Sequence, residues 1–347
     1  MSESLDRYTR QMRYPPIGET GQRRLAAARV LICGCGALGS AAADTLARSG
    51  IGRLRIVDRD FVEITNLQRQ VLFDEADAAE GLPKAIAAAA KLGRINSAVE
   101  VEPLVADVTA GNILALCDGV DLIVDGTDNF ETRFLLNEAA LRCKIPWIYG
   151  GAIGAIGQAM TILPDRPPCL RCVIPESPPP GSMPTCDTAG ILASAIHAVS
   201  AIQACEAIKI LSGNLAAVSR GLTVVDLWEN RFRQVGLARL AEQGCATCRD
   251  GDFPWLSGRR GSQTAVLCGR NAVQLASPST DDSSTAASLD DLERKLRTVG
   301  QVTRNAFLLR FAIDGYTITL FADGRAIIAG TEDIATARNV YAKYVGM

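Results

Sequence analysis

The sequence has almost no excess of charge of either sign. Its 347 residues include 36 Lys and Arg against 38 Asp and Glu, which gives a formal net charge of −2. Proteins that bind nucleic acid through its phosphates show a basic stripe or a high isoelectric point. The charge balance therefore excludes a large basic surface, and we expect no nucleic-acid partner.

The sequence also lacks an uninterrupted hydrophobic run of membrane-spanning length. Its longest apolar stretch, ILASAIHAVSAIQACEAIKIL, contains His197, Gln203, Glu206 and Lys209. Four polar side chains within about 21 residues make insertion into a bilayer costly. This stretch therefore predicts a buried helix, with the single histidine as a core residue. The charged start, MSESLDRYTRQMRYPP, lacks the apolar core of a secretory signal, so we expect a cytoplasmic protein with no membrane partner.

Signs of a disulfide framework are missing as well, although 11 cysteines are present. Without an export signal, thiols are expected to stay reduced, and paired cysteines then favour a metal site. Two C-x-x-C pairs, Cys169 with Cys172 and Cys245 with Cys248, are separated by residues 173–244. Four thiolates complete the tetrahedral coordination of zinc and leave no position for water. The sequence therefore predicts a structural zinc site that joins the two sides of the apolar helix.

What the sequence does contain is a nucleotide-binding fingerprint. The run RVLICGCGALGS predicts a strand, a G-x-G-x-x-G turn built on Gly34, Gly36, Ala37 and Gly39, and then a helix. A second strand ends on Asp58, 19 positions after Gly39. This spacing is typical of a βαβ unit that binds a dinucleotide at the turn and its ribose at the acidic residue. The fingerprint alone leaves open NAD(P), in an oxidoreductase, and ATP.

Three further segments place polar side chains at the carboxyl ends of predicted strands, which line the ligand crevice of an open α/β sheet. They are the stretch Asn66-Leu67-Gln68-Arg69, then Lys84 in the first turn of a helix, and then Asp128 with Asn129. A triphosphate that reacts requires fixed cations and a carboxylate for its metal, whereas a dinucleotide requires neither. Arg69 and Lys84 taken singly are explained as surface charges, and Asp128 as a helix cap. Together they favour ATP with magnesium.

The order of predicted elements indicates an α/β fold. Strands and helices alternate from residue 30 to residue 147, which predicts a Rossmann-like, mostly parallel sheet with helices on both faces. Segments 155–163 and 221–228 are further strand candidates. We therefore expect residues 1–250 to form an ATP-binding domain and residues 251–263 to form a linker. Residues 264–347 predict a small α+β domain, with strands at 264–275, 307–313, 316–321 and 325–329 and helices at 288–299 and 332–345.

Several motifs resemble those of one family. The segments RYTRQ, GCGALGS, VDRDFVEITNLQRQ, GLPKA, DGTDNFETR, CLRC, TCDTAG and EAIKIL are similar to the ThiF/MoeB/HesA family, the bacterial relatives of ubiquitin-activating enzymes. The resemblance implies an adenylyltransferase that uses ATP to adenylate the C-terminal glycine of a small ubiquitin-like sulfur carrier ending in Gly-Gly. It implies a sulfur donor protein and a role in thiamine, molybdopterin or related biosynthesis. Two alternatives stay open, a tRNA-modifying dehydratase of the same superfamily and an NAD-dependent oxidoreductase.

The resemblance also implies residue roles. Asp58 would hold the ribose, Asn66, Arg69 and Lys84 would contact the phosphates, and Asp128 would bind magnesium. Arg10, in RYTRQ, would reach the nucleotide of the other subunit, which implies a homodimer. Ala37 stands where relatives often have glycine.

The resemblance leaves two interpretations of Cys186 open. This cysteine ends the proline-rich loop 175–187, just before a predicted helix that begins at Thr188. A helix N-terminus favours the thiolate form. Cys186 is therefore either a thiol that forms a thioester or acyl-disulfide with the carrier, or a structural residue.

Overall fold

A computed structural model describes residues 5–177, 189–261, 265–267, 271–275, 289–321 and 324–346. These residues divide into two compact units, the first ending at Arg260 and the second beginning at Gly261. Each unit has its own sheet.

The first unit contains an eight-stranded sheet among its described residues. Its strands are β1 (Arg29–Cys33), β2 (Arg53–Val57), β3 (Glu100–Leu104), β4 (Leu122–Asp125), β5 (Trp147–Ile153), β6 (Ile156–Ile162), β7 (Gly221–Asp226) and β8 (Arg231–Gly236). They are ordered β3-β2-β1-β4-β5-β6-β7-β8. The pairs among β1 to β5 are parallel, whereas β6, β7 and β8 continue the sheet as antiparallel strands.

Helices and short turns connect these strands. The helices are α1 (Thr9–Met12), α2 (Gly18–Ala27), α3 (Ala37–Arg48), α4 (Glu75–Glu80), α5 (Lys84–Ile95), α6 (Ile113–Leu116), α7 (Phe130–Cys143), α8 (Leu170–Val173), α9 (Ala193–Ser212), α10 (Ala238–Gln243) and α11 (Ala246–Asp250). In the described part of this unit, three 3₁₀ turns cover Leu5–Tyr8, Ile64–Asn66 and Leu215–Ala217.

The core of this unit lies on both faces of the parallel strands. One cluster joins β1, β2 and β4 to α3, α5 and α9, whose small alanine side chains allow close approach of helix to sheet. The second cluster joins the other face to α6, α7 and α8. Strands that are buried on both faces appear in sequence as continuous apolar runs. For this reason the runs VLIC of β1 and LIV of β4 predicted these two strands. The predicted α/β fold, a mostly parallel sheet covered on both faces, is confirmed.

The apolar helix α9 packs against α3 and against strands β5 and β6. By length and composition alone it could cross a bilayer, and it is the single described helix of that kind. The prediction that His197 is a core residue is wrong, because its side chain is exposed. It shares an exposed stripe with Ser194, Ala201 and Cys205. Alanine and serine recur all round this helix, so its apolar pattern did not distinguish the buried face from the exposed one.

The second unit is α+β. Its described strands are β9 (Ala265–Leu267), β10 (Ala272–Leu275), β11 (Gln301–Arg304), β12 (Leu308–Ile313), β13 (Tyr316–Phe321) and β14 (Ala326–Ala329), and its helices are α12 (Leu289–Leu296) and α13 (Ile334–Tyr344). The strands are ordered β11-β12-β13-β14-β10-β9. Asp314 and Gly315 both have positive φ, 51° and 82°, as a two-residue hairpin turn requires. That turn was predicted, whereas strand β11 was not.

Candidate functional site

The glycine turn follows β1 and leads into α3. Gly34 has a φ of +84°, and a Cβ there would lie 2.7 Å from the carbonyl oxygen of Gly126. A Cβ on Gly39 would lie 1.8 Å from the carbonyl oxygen of Gly34. These glycines therefore let the turn after β1 pack directly on its own helix and on the turn after β4.

The first turn of α3 is open to a ligand. Its N-cap, Gly36, provides no side-chain hydrogen bond to the helix, and a Cβ on Gly36 would have nothing closer than 3.9 Å. Ala37 is the first helical residue. Uncapped N–H groups at a helix N-terminus form a favourable site for an anion such as phosphate.

Asp58 lies at the end of β2 with its carboxylate directed at the glycine turn. Its Oδ2 accepts a hydrogen bond of 2.6 Å from the N–H of Cys35, and its Oδ1 accepts one of 2.7 Å from the N–H of Asp60. Burial raises the pKa of Asp58, and the charge of Lys84 offsets part of that effect. The acidic residue is thus fixed beside the turn, where the fingerprint places the ribose.

Lys84 begins α5 but is not a free surface cation. Its side chain is 3% exposed, and its Nζ lies 3.0 Å from Oδ2 of Asp60. Its N–H donates a hydrogen bond of 2.9 Å to the Asp60 carbonyl oxygen. The interpretation of Lys84 as a solvated surface charge is therefore wrong, whereas its contact with phosphate stays a prediction.

The segment after β2 contains the 3₁₀ turn Ile64–Asn66, which ends on one predicted site residue and is followed by the others. Asn66 is buried, and its Oδ1 accepts a hydrogen bond of 3.1 Å from the N–H of Glu63. Arg69 is half-buried, and its Nη1 donates to the Thr65 carbonyl oxygen at 2.9 Å. The remaining predicted members of this stretch are Leu67, which is half-buried, and Gln68, which is exposed.

Gln70 is a residue of this segment that sequence reasoning missed. It is buried, and its Oε1 has no hydrogen-bond partner among the described residues. Its Nε2 is the atom that lies 3.9 Å from the position of a Cβ on Gly36. A polar amide beside the phosphate turn is a further candidate contact. The NLQRQ motif, of which Gln70 is the last residue, was the sequence feature that could have identified it.

Asp128 and Asn129 follow β4, and only Asn129 caps the helix that begins there. The Oδ1 of Asn129 accepts a hydrogen bond of 2.8 Å from the N–H of Thr132, so Asn129 is the cap of α7. Asp128 is exposed. The interpretation of Asp128 as the helix cap is therefore wrong, which leaves its carboxylate available to a cation at the carboxyl end of β4.

Asp125 and Arg133 form a buried pair beneath this loop. The Nε of Arg133 lies 3.1 Å from Oδ2 of Asp125, and neither side chain is more than 9% exposed. The Nη2 of Arg133 donates to the carbonyl oxygens of Thr127 (2.7 Å) and Gly150 (3.0 Å). Arg133 thus fixes the loop with Asp128 to strand β5. The prediction did not include Arg133, because these contacts join segments that are distant in sequence.

Arg10 lies at the opposite end of the strands from the crevice. It is exposed on α1, and the neighbouring Gln11 donates a hydrogen bond of 3.0 Å to the carbonyl oxygen of Ser49. Tyr8 packs on Gly50, just before β2. The crevice is at the carboxyl ends of these strands, so Arg10 does not join the other site residues within one chain.

The four predicted zinc ligands are brought together. The Sγ–Sγ distances are 3.9 Å for Cys169–Cys172, 3.6 Å for Cys169–Cys245, 3.6 Å for Cys172–Cys248 and 3.8 Å for Cys245–Cys248. A tetrahedron with zinc–sulfur bonds of about 2.3 Å has edges of about 3.8 Å. The described geometry therefore fits one four-coordinate metal ion. Cys186 lies outside the described residues.

The comparisons with known proteins identify a family for this chain. A family model described as the ThiF family matches residues 8–247. The chain is 44% identical over 341 residues to the sulfur carrier protein ThiS adenylyltransferase of Bacillus subtilis. This match covers 98% of this chain and 99% of that protein. It is 38% identical over 253 residues to the sulfur carrier protein adenylyltransferase of Thermus thermophilus, covering 72% and 92% of the two chains.

A solved structure shares the fold. The crystal structure of MccB from E. coli has a TM-score of 0.59 and 23% sequence identity, and the match covers 67% of this chain and 70% of that one.

Proposed function

Since the chain belongs to the ThiF family, we propose that it is an adenylyltransferase that uses ATP to activate the C-terminal carboxylate of a small ubiquitin-like sulfur carrier. Its relatives of known name act on sulfur carrier proteins, and this chain spans nearly the whole length of one of them. We infer a carrier whose chain ends in Gly-Gly, and a sulfur donor protein that consumes the activated carrier.

One observation supports this function above the others. The exposed carboxylate of Asp128 follows β4, and the turn after β4 is in backbone contact with the glycine turn through Gly126 and Gly34. A carboxylate beside an anion-binding turn suits the metal of a triphosphate, whereas a dinucleotide needs no metal there. This arrangement favours ATP over NAD as the ligand of the crevice.

The proposed reaction is acyl adenylation. A carboxylate oxygen of the carrier attacks the α-phosphorus of ATP, and the bond from that phosphorus to the bridging oxygen of pyrophosphate breaks. Pyrophosphate leaves with the electron pair, and a mixed anhydride of the carrier and AMP remains. The attacking group is already ionised, so no protein base is needed. Binding in the right orientation and charge stabilisation by Arg69 and Lys84 would lower the barrier.

Two metals belong to the proposal. Asp128 would hold magnesium, which supplies positive charge at the phosphates when bound. The cluster of Cys169, Cys172, Cys245 and Cys248 would hold zinc with all positions filled by protein, which makes that zinc structural. Asp58 would bind the ribose hydroxyls, and Arg10 of the partner subunit would complete the site in a homodimer.

The adenylated carrier would pass to sulfur transfer. We propose that Cys186 takes part after adenylation. Its thiol would displace AMP from the adenylated carrier to give a thioester, or, once the sulfur donor has converted it to a persulfide, its outer sulfur would displace AMP to give an acyl-disulfide. Cys186 is not among the residues assigned to the phosphates, so adenylation should not need it. The pathway that uses the carrier, for thiamine, molybdopterin or a related product, follows from which carrier is bound.

The test is ATP–pyrophosphate exchange in the presence of a small co-purifying protein that ends in Gly-Gly, identified by intact mass. Wild-type protein should catalyse exchange that depends on the carrier. Asp128→Ala should eliminate it, because the phosphates would lose the carboxylate that holds their metal. Cys186→Ser should retain exchange within a few-fold while losing any reductant-sensitive carrier adduct.

Asp44→Ala is a matched control, because Asp44 is a carboxylate that pairs with Arg48 on the surface of α3. It should leave exchange unchanged. Full exchange by Asp128→Ala would contradict the proposed metal ligand, and the absence of carrier-dependent exchange in wild type would contradict the function itself.

A further inference from the structure

Arg59 is a charged residue of the crevice that the proposed function does not use. It follows Asp58 directly at the carboxyl end of β2. Its Nη1 lies 3.1 Å from Oδ2 and 3.3 Å from Oδ1 of Asp107, and its Nε lies 3.8 Å from Oδ1 of Asp60. The side chain is still 23% exposed. The carboxylates contact this guanidinium at Nη1 and near Nε, and a planar guanidinium can also stack through its face.

The order of strands assigns each part of a nucleotide to a region of the sheet edge. The glycine turn follows β1 and Asp128 follows β4, so the phosphates belong over these two central strands. The ribose belongs at Asp58, at the end of β2. The order β3-β2-β1-β4 then leaves the ends of β2 and β3 for the base. Arg59 follows β2, and Asp107 follows β3, so their ion pair spans this base end.

Arg59 and Lys84, the cation assigned to the phosphates, both approach Asp60, but Arg59 forms its shorter ion pair with a different carboxylate. Lys84 pairs with Asp60, whereas Arg59 pairs with Asp107 on the segment after β3. Two carboxylates offset the charge of Arg59, which makes it a poor partner for a phosphate. A guanidinium that is already in an ion pair can still stack on an aromatic base through its planar face.

We propose that Arg59 contacts the adenine base of ATP, with its guanidinium face against the ring and Asp107 as its anchor. The proposal rests on ATP being the nucleotide, as the proposed function holds. It makes Arg59 a determinant of affinity for the nucleoside half of ATP, separate from the residues that bind the phosphates. An arginine near a ribose-binding acid has another known use, contact with the 2′-phosphate of NADP, and the test includes it.

The experiment measures binding of AMP and of inorganic tripolyphosphate to the full-length chain by calorimetry. AMP contains the base, the ribose and a single phosphate, whereas tripolyphosphate contains phosphates only. Arg59→Ala should weaken AMP about tenfold, the loss expected for one base stack, and should leave tripolyphosphate unchanged. Arg59→Lys retains the charge but lacks the flat face, so it should lose AMP affinity to a similar extent.

Arg69→Ala is the matched control, because it removes an arginine assigned to the phosphates. It should weaken tripolyphosphate and leave the base contact intact. If Arg59→Ala unfolds because Asp107 loses its partner, the double variant Arg59→Gln with Asp107→Asn removes both charges and gives the same comparison.

The outcomes separate this proposal from the function on which it rests. Failure of wild type to bind AMP would overturn the proposed function and this contact with it. Normal AMP binding by Arg59→Ala, or an equal loss of AMP and tripolyphosphate, would overturn the base contact alone. Tight NADPH binding by wild type that Arg59→Ala abolishes would assign Arg59 to a 2′-phosphate and overturn the proposal.

Discussion

At the scale of single residues, the buried polar groups near the crevice act as fixed links between strands. On one face of the sheet Arg133 binds the carbonyl oxygens of Thr127 and Gly150. On the other face the Nε2 of Gln203 donates to the carbonyl oxygens of Asp125 (2.8 Å) and Ile148 (3.3 Å). Strands β4 and β5 are thus joined from both sides at the point where the loop with Asp128 begins. Such links limit the motion of that loop.

The sequence revealed the site residues that belong to local patterns. The glycine turn, Asp58 and Asp128 follow strands at fixed spacing, so the pattern located them. Arg133 and Gln203 were not identified as links, because their partners are strand carbonyls up to 78 residues away. Likewise, the partner of Lys84 lies 24 residues away in the sequence, so its ion pair with Asp60 could not be predicted from the residues around either one.

Glu138 on α7 gives a prediction about pH. Its Oε2 accepts hydrogen bonds from the N–H groups of Trp255 (2.9 Å) and Leu256 (2.8 Å), and Oε1 has no partner among the described residues. Burial raises its pKa from 4.5 to about 7, partly offset by these hydrogen bonds. The stability that the protonated form contributes is therefore fully present below pH 4.5 and is lost as the pH rises through about 7.

Glu138→Gln should remove this part of the pH dependence, because an amide does not ionise. The midpoint of urea unfolding, compared at several pH values from 4.5 to 8, should fall less steeply in the variant than in wild type. Glu131→Gln, on the same helix with a half-buried side chain, is the control and should keep the wild-type slope. Equal slopes for wild type and Glu138→Gln would contradict the prediction.

At the scale of elements, the cysteine pairs belong to helices too short to be stable alone. The N-cap of the four-residue helix α8 is Cys169, and Cys172 lies within that helix. In the same way, Cys245 is the N-cap of the five-residue α11 and Cys248 lies within it. Helices of this length form only when tertiary contacts or a ligand fix them. Arg171 donates to Oγ1 of Thr247 at 2.8 Å, which is a second link between the two helices.

Zinc removal should therefore loosen this region. We expect about one zinc per chain in the purified protein by elemental analysis, and Cys172→Ser should lose the metal together with several degrees of thermal stability. Cys143→Ser is the control, because Cys143 is a half-buried thiol outside the cluster, and it should retain zinc. A wild-type protein that is folded and free of zinc would contradict the prediction.

The parallel strands were predictable and the antiparallel edge was less so, for a physical reason. Strands β1 and β4 are buried on both faces and produce compact apolar runs. Strand β8, with the sequence RFRQVG, is exposed throughout, and β11 is exposed at three of its four residues. A strand that buries little has no strong hydrophobic pattern, and its pairing is fixed by the neighbouring hairpin instead.

At the scale of the whole molecule, the separation of Arg10 from the crevice bears on assembly. The N-terminal arm is attached near the amino ends of the strands, through Gln11 to Ser49 and through Tyr8 to Asn96. An arginine there cannot complete a site at the carboxyl ends of the same sheet without leaving these contacts. A contribution from Arg10 to adenylation would therefore come from a second copy of the chain.

This predicts complementation between inactive variants. Arg10→Ala and Asp128→Ala should each fail in ATP–pyrophosphate exchange, whereas ATP binding to Arg10→Ala survives. After subunit exchange, an equal mixture should regain about a quarter of the wild-type rate, because half of the dimers would be mixed and each would keep one complete site. Arg13→Ala, three residues along the arm, is a control expected to retain exchange. No recovery despite demonstrated subunit exchange would show that Arg10 does not act across a dimer.

The last strand of the large sheet has a consequence for handling the protein at high concentration. Within the described chain β8 is the outer strand, with Phe232 69% exposed and Trp228 in the preceding turn 74% exposed. An unpaired strand edge beside exposed aromatics is a template on which a second molecule can add a strand, and such additions lead to aggregation. Arg231 and Arg233 place positive charge on that strand, so two copies that approach edge to edge repel each other. These arginines therefore protect the solubility of the free chain, a property that salt would weaken by screening them.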